Sequence, residues 1–85
     1  MQELINMLKE VHMPKLSPKS DSYFFGKWVK QPGETVKAGD VLFEVETDKV
    51  ISQVESQEDG ILKNQKVATG DTTNVGDLVA TIEVA

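Results

Sequence analysis

EVETDKVISQVES, residues 44–56, alternates apolar and polar side chains up to Thr47 and resumes a looser alternation after Val50. A period of two marks a strand with one buried and one solvated face. Only Asp48 and Lys49 separate the two runs, so the stretch reads as a hairpin with a two-residue turn. Thr47 then faces Val50, Val45 faces Ser52 and Phe43 faces Val54. Phe43, Val45 and Val54 gather on an inner face, while Glu44, Glu46, Gln53 and Glu55 gather on the solvent face. Ile51 also falls on the outer face, opposite Glu46, against the pattern.

The turn is chemically odd. Two-residue hairpin turns favour glycine-containing pairs, because their backbone needs positive φ. Asp48-Lys49 supplies no glycine, and a lysine here gains nothing obvious for folding. Its side chain points into water from the most protruding part of the hairpin. Most surface lysines are merely solvated. This one stands at the pivot of a regular hairpin, with Gly33 and Gly60 at comparable distances on either side, and no other group in the chain is a candidate for chemistry.

Working outward, PGETVKAGDVLFEV (32–45) lies over TGDTTNVGDLVATI (69–82) without a gap, at an offset of 37 residues. Gly33 falls on Gly70, Gly39 on Gly76, Asp40 on Asp77 and Val45 on Ile82. Repeated glycines mean repeated turns, so Gly33, Gly39, Gly70 and Gly76 are read as structural turn positions; Gly60, outside the repeat, is counted with them as the glycine flanking Lys49 on the other side. The chain is two similar β units. Short strands with frequent turn signals predict an all-β flattened barrel or sandwich with a pseudo-twofold axis. Strands are expected near 11–16, 23–30, 35–37, 41–47, 50–55, 60–67, 72–74 and 78–84. The core draws on Phe43, Val45, Val54, Leu62, Val79 and Ile82, with some of Phe24, Phe25 and Trp28; Trp28 is read as packing, having no second aromatic platform for a stacked ligand. Residues 1–10 are read as an extension, flexible or a short helix, since Leu4, Met7, Leu8 and Val11 follow helical spacing. Residues 11–85 form the domain.

Composition removes whole classes of function. The 85 residues make one small domain, which buries only about 60–65% of its unfolded surface and leaves little room for a deep active site. There is no cysteine for thiolate chemistry, and the lone His12 cannot build a metal site. A net charge of −5, from 14 acids and 9 bases, argues against nucleic acid or an anionic membrane as partner. No apolar run approaches the ~20 residues that span a bilayer. The first ten residues lack the marks of a signal peptide, so an intracellular protein is expected. Glu58-Asp59, before Gly60, reads as a turn entry rather than an acid–base pair.

ETDKV (46–50) resembles the modification site of lipoyl domains, the swinging-arm carriers of 2-oxo acid dehydrogenase complexes. MPKLS (13–17) is similar to the family's opening strand and WVKQPGETVKAGDVLFEVETDKV (28–50) to its central signature. VESQEDGIL (54–62) resembles the segment after the attachment hairpin, and LVATI (78–82) the closing strand. The resemblance covers about residues 11–84. It implies two four-stranded antiparallel sheets related by a quasi-twofold axis, with lipoic acid joined to Lys49 by an amide bond. It also implies a lipoate ligase or lipoyl transferase as the loading enzyme. The loaded arm would visit a thiamine-diphosphate 2-oxo acid dehydrogenase component, a dihydrolipoamide acyltransferase and a dihydrolipoamide dehydrogenase. The domain itself would be a monomeric carrier and no enzyme, located in cytoplasm or, in a eukaryote, the mitochondrial matrix. Tyr23-Phe24-Phe25 departs from the family in placing bulky aromatics where smaller or β-branched residues are common.

Two alternatives stand beside this reading. Biotin carrier domains share the fold but usually flank their lysine with methionines, where this chain has Asp48 and Val50. An unmodified, interaction-only domain of the same fold would commonly lack the lysine. A free lysine amine, with its ordinary pKa near 10.4, is neutral in about one molecule in 2,500 at pH 7. Lys49 therefore needs an enzyme to bring the base and the activated acyl donor. Glu46, Thr47, Asp48 and Val50 are the expected recognition residues, by their closeness to the amine, and Glu44 and Glu55 extend an acidic face suited to basic partners.

Overall fold

The computed structural model describes residues 7–84. They form eight strands and no helix: β1 (Met7–His12), β2 (Ser22–Trp28), β3 (Thr35–Val36), β4 (Val41–Thr47), β5 (Val50–Glu55), β6 (Gly60–Gln65), β7 (Thr72–Asn74) and β8 (Leu78–Val84). One antiparallel sheet has the order β1-β8-β6-β3, the other β5-β4-β2-β7. Advancing each strand by four, cyclically, turns the first order into the second.

The 37-residue repeat is visible as repeated hydrogen bonds. Gly39 N donates to Ser56 O and Gly76 N to Met13 O, both at 2.8 Å. Val29 N donates to Leu42 O, and its counterpart Lys66 N donates to Val79 O, again both at 2.8 Å. Asp40 accepts from Lys37 N at 2.9 Å, as Asp77 accepts from Asn74 N at 2.8 Å. The shared turns need glycine: Gly39 and Gly76 sit at φ +97° and +92°, where a Cβ would strain the backbone. Bulges repeat as well. Pairing skips Leu42 in β4 and Val79 in β8, and it skips Gly26 in β2 and Lys63 in β6.

The core lies between the sheets. Phe43, Val45, Val54, Leu62, Val79 and Ile82 are buried there as expected, joined by Met13, Tyr23, Val36, Leu42 and Ala80. Alternation along β2 separates its three aromatics: Tyr23 and Phe25 point inward, while Phe24 is 60% exposed. Phe25, Trp28 and Phe43 form a cluster with ring centroids 5.0–5.2 Å apart, and Trp28 donates its indole N–H to Val67 O at 2.9 Å. Trp28 is a packing residue.

Three expectations are corrected. Met7–Glu10 are not an extension or a helix but the start of β1, which shifts the first strand from 11–16 to 7–12. Hydrogen bonding to β8, from Met7↔Val84 to Val11↔Ala80, overrides a helical spacing too short to stand alone; residues 1–6 of that extension lie outside the described residues. β2 and β6 end earlier than expected, at Trp28 and Gln65. Gly60 is not a turn glycine: it opens β6, and a Cβ there would collide with the Glu83 carbonyl oxygen.

Met7 and Val84 pair at the mouth of β1 and β8 as Val50 and Thr47 pair at the mouth of the 44–56 hairpin. The chain that starts β1 at Met7 reaches the turn only at Ser17, which sets the Met7–Val84 mouth away from the hairpin tip. After β1 the chain runs back along β5, Pro14 and Leu16 sharing a groove with Gln53–Gln57, and reaches the hairpin tip at Ser17.

Candidate functional site: the lysine turn

The observed register from Phe43↔Val54 to Thr47↔Val50 is that read from the sequence, so Asp48 and Lys49 are the whole of the turn. Both have positive φ, 49° and 66°. This is the left-handed pair that a tight hairpin demands, here taken by two residues with side chains. They are the only described non-glycine residues in that region.

Lys49 is exposed, and the four ion pairs among the described residues all use other bases. Acids surround it without neutralising it. Glu46 and Asp48 are exposed beside the turn, and Glu44 accepts from Gln53 Nε2 at 3.2 Å further down the hairpin. On the outer face Glu46 lies between Ile51 on β5 and Phe24 on β2, its partners across the two neighbouring strands. Ile51 and Phe24 are each 60% exposed and Val50 59%, so apolar surface rings the tip.

Of the four expected recognition residues, Glu46, Asp48 and Val50 are on the surface. Thr47 is not: it is 6% exposed, with its hydroxyl 3.4 Å from Ser52 Oγ. It forms the floor of the turn, because alternation points it inward.

Ser17 joins the site without having been singled out from the sequence. Its hydroxyl donates to the Asp48 carboxylate, from a loop far away in the chain. That loop hangs on Tyr23, whose hydroxyl accepts from Leu16 N at 2.9 Å and Ser17 N at 3.1 Å and donates to Ser20 O at 2.9 Å. Lys15 pairs with Asp21 across the same loop. The only advance signal was an aromatic with a polar tip at position 23, where a buried hydroxyl needs partners.

An exposed primary amine on a two-residue turn, with no ion pair to break, fits a group attached through an amide bond. Nothing has to be displaced to form that bond.

The profile of the family described as "Biotin-requiring enzyme", the biotin/lipoyl attachment family, matches residues 9–82. The chain is 36% identical over 75 residues to the dihydrolipoyllysine-residue succinyltransferase component of the 2-oxoglutarate dehydrogenase complex of Bacillus subtilis, covering 88% of this chain and 18% of that protein. It is 40% identical over 77 residues to the dihydrolipoyllysine-residue acetyltransferase component of the pyruvate dehydrogenase complex of Zymomonas mobilis, covering 89% and 18%. The chain thus spans about a fifth of the length of these relatives. Among solved structures, the lipoyl domain of the Azotobacter vinelandii 2-oxoglutarate dehydrogenase complex superposes with a TM-score of 0.70 at 29% identity, covering 86% of this chain and 92% of that one. Urea carboxylase of Kluyveromyces lactis superposes with a TM-score of 0.76 at 26% identity, covering 95% and 7%. With its strand order, its repeat and its hairpin lysine in agreement, the chain belongs to the biotinyl/lipoyl carrier-domain family.

Proposed function

We propose that this domain is a lipoyl-bearing swinging arm, loaded on Lys49, that serves a 2-oxo acid dehydrogenase complex. The observation that carries the reading is the exposed, unpaired Lys49 amine on a turn whose two residues both have positive φ. Such a turn presents the amine at the extreme of the hairpin and limits the ordering cost of recognition. The Asp48 and Val50 flanks, in place of methionines, favour lipoate over biotin, as do relatives named for dihydrolipoyllysine chemistry. Fold likeness does not separate the two groups, since a urea carboxylase superposes as well as a lipoyl domain does.

In this reading Lys49 Nζ holds the group, which when bound supplies a dithiolane that is reduced and acylated and later reoxidised. The protein contributes the tether and the docking surface. Covalent attachment makes each visit to a partner active site effectively intramolecular. The acids at 44, 46 and 55 favour encounter with basic surfaces on the loading ligase and on the dehydrogenase, acyltransferase and reoxidising components.

Co-expression of the 85-residue chain with a lipoate ligase and, separately, with a biotin ligase tests this by intact mass. The lipoyl increment is expected on Lys49 and absent from Lys49→Arg. A biotinyl increment alone transfers the domain to carboxylase chemistry; no increment from either ligase defeats the carrier reading.

A further inference from the structure

The turn that presents Lys49 does not hold itself. Two consecutive side-chain-bearing residues in the left-handed region persist only where surrounding structure over-determines them. The hairpin supplies Thr47 and Val50 beneath the turn, and neither fixes Asp48. The outside contact is Ser17, 3% exposed, whose hydroxyl donates to Asp48 Oδ2.

Ser17 is built for that task. Its Oγ accepts from Lys19 N at 3.1 Å, which leaves the hydroxyl proton directed to Asp48. Its backbone N–H is tied to Tyr23 Oη at 3.1 Å, and Ser17 and Ser20 bridge across the loop that the same phenol closes. Tyr23 is 2% exposed and belongs to β2, the strand beside β4. A short chain of hydrogen bonds therefore runs from a core-anchored phenol through Ser17 to Asp48, and stops one residue short of the amine.

Resting on the carrier reading of Lys49, we propose that Ser17 is a positioning residue: by anchoring Asp48 it selects the turn conformation in which Lys49 is offered to the loading enzyme. Asp48 then acts as a hydrogen-bond acceptor, not as a charge that the enzyme reads. An enzyme that binds only the presented conformer sees its apparent affinity scale with the population of that conformer. Loss of the anchor raises KM and leaves kcat alone.

The test combines steady-state loading by a lipoate ligase with 15N NMR of the unloaded 85-residue chain. Ser17→Ala is expected to lower the amide order of Asp48 and Lys49 and to erode their positive-φ shift signature. It should raise KM about five- to tenfold at nearly constant kcat. Ser17→Thr should restore both. Asp48→Asn keeps an acceptor without the charge and should load close to wild type, while Asp48→Ala should behave like Ser17→Ala. Tyr23→Phe should loosen the turn through the loop. The proposal is overturned if Ser17→Ala leaves turn order and KM unchanged, or if Asp48→Asn is as defective as Asp48→Ala. The spectra need no loading, so they judge the anchor even if a wild type refused by the ligase removes the carrier reading.

Discussion

Gly60 and Glu83 pass each other on neighbouring strands too closely for a side chain. A Cβ on Gly60 would collide with the Glu83 carbonyl oxygen and stand 2.8 Å from Ile82 Cγ2. Backbone on one side and a fully buried side chain on the other leave little room to yield. Gly60→Ala should cost about 2–3 kcal/mol in denaturant unfolding. Gly33 offers the contrast: its φ is +92° but nothing lies within 4 Å of the missing Cβ. Gly33→Ala should cost only the backbone strain, about 1–2 kcal/mol. Equal losses at the two sites would contradict this division between a packing glycine and a turn glycine.

At Lys49 stability and function should pull apart. At φ 66° a glycine relieves the left-handed strain, partly offset by the entropy of the unfolded chain. Lys49→Gly is expected to stabilise the domain by roughly 0.5–1 kcal/mol while abolishing loading, measured by denaturation midpoint and intact mass. A destabilised glycine variant would mean that the lysine side chain supports the turn.

Thr73 carries a buried hydroxyl without a partner, in a residue only 2% exposed on β7. Thr73→Val keeps the shape and removes the unsatisfied group. Stability should rise by about 1 kcal/mol. A loss of that size would show that the hydroxyl is bonded in solution.

His12 should give the domain a mild pH dependence. Its Nδ1 lies 2.7 Å from Gly76 O and its Nε2 2.8 Å from Glu10 Oε1. Both partners are acceptors, so only the doubly protonated ring satisfies both. The Gly76 carbonyl first, and the Glu10 carboxylate second, raise the histidine above its ordinary value of 6.5. A group raised on folding contributes stability that is complete below pH 6.5 and fades as pH climbs through the folded value. Unfolding midpoints should therefore fall slightly above pH 6.5, and His12→Gln should flatten that slope. An unchanged slope in the variant would assign it to another group.

The hairpin was legible because two signals agree there: period-two alternation fixes which face is buried, and the two-residue gap fixes the register. The repeat was legible through its glycines and aspartates. Leu42 was missed for a definite reason. A bulge at that position turns it inward beside Phe43, and strict alternation would have sent it to solvent. Val79 and Ala80 are adjacent and both buried through the matching bulge in β8, and of the two only Val79 was expected in the core. β1 was hidden because its apolar residues happen to fall at helical spacing, and only pairing with β8 decides the matter. Ser17 was out of reach because its bond to Asp48 spans 31 residues, and no local pattern records a contact of that kind.

The pairing of Met7 with Val84 has a mechanical consequence. Strands β1 and β8 enter and leave the barrel at the end remote from Lys49, so polypeptide joined there pulls on the base of a boom whose load hangs from the tip. In the proposed carrier role, the barrel's own length would add to the working radius of any tether, and an enzyme could close around the amine without straddling the leash.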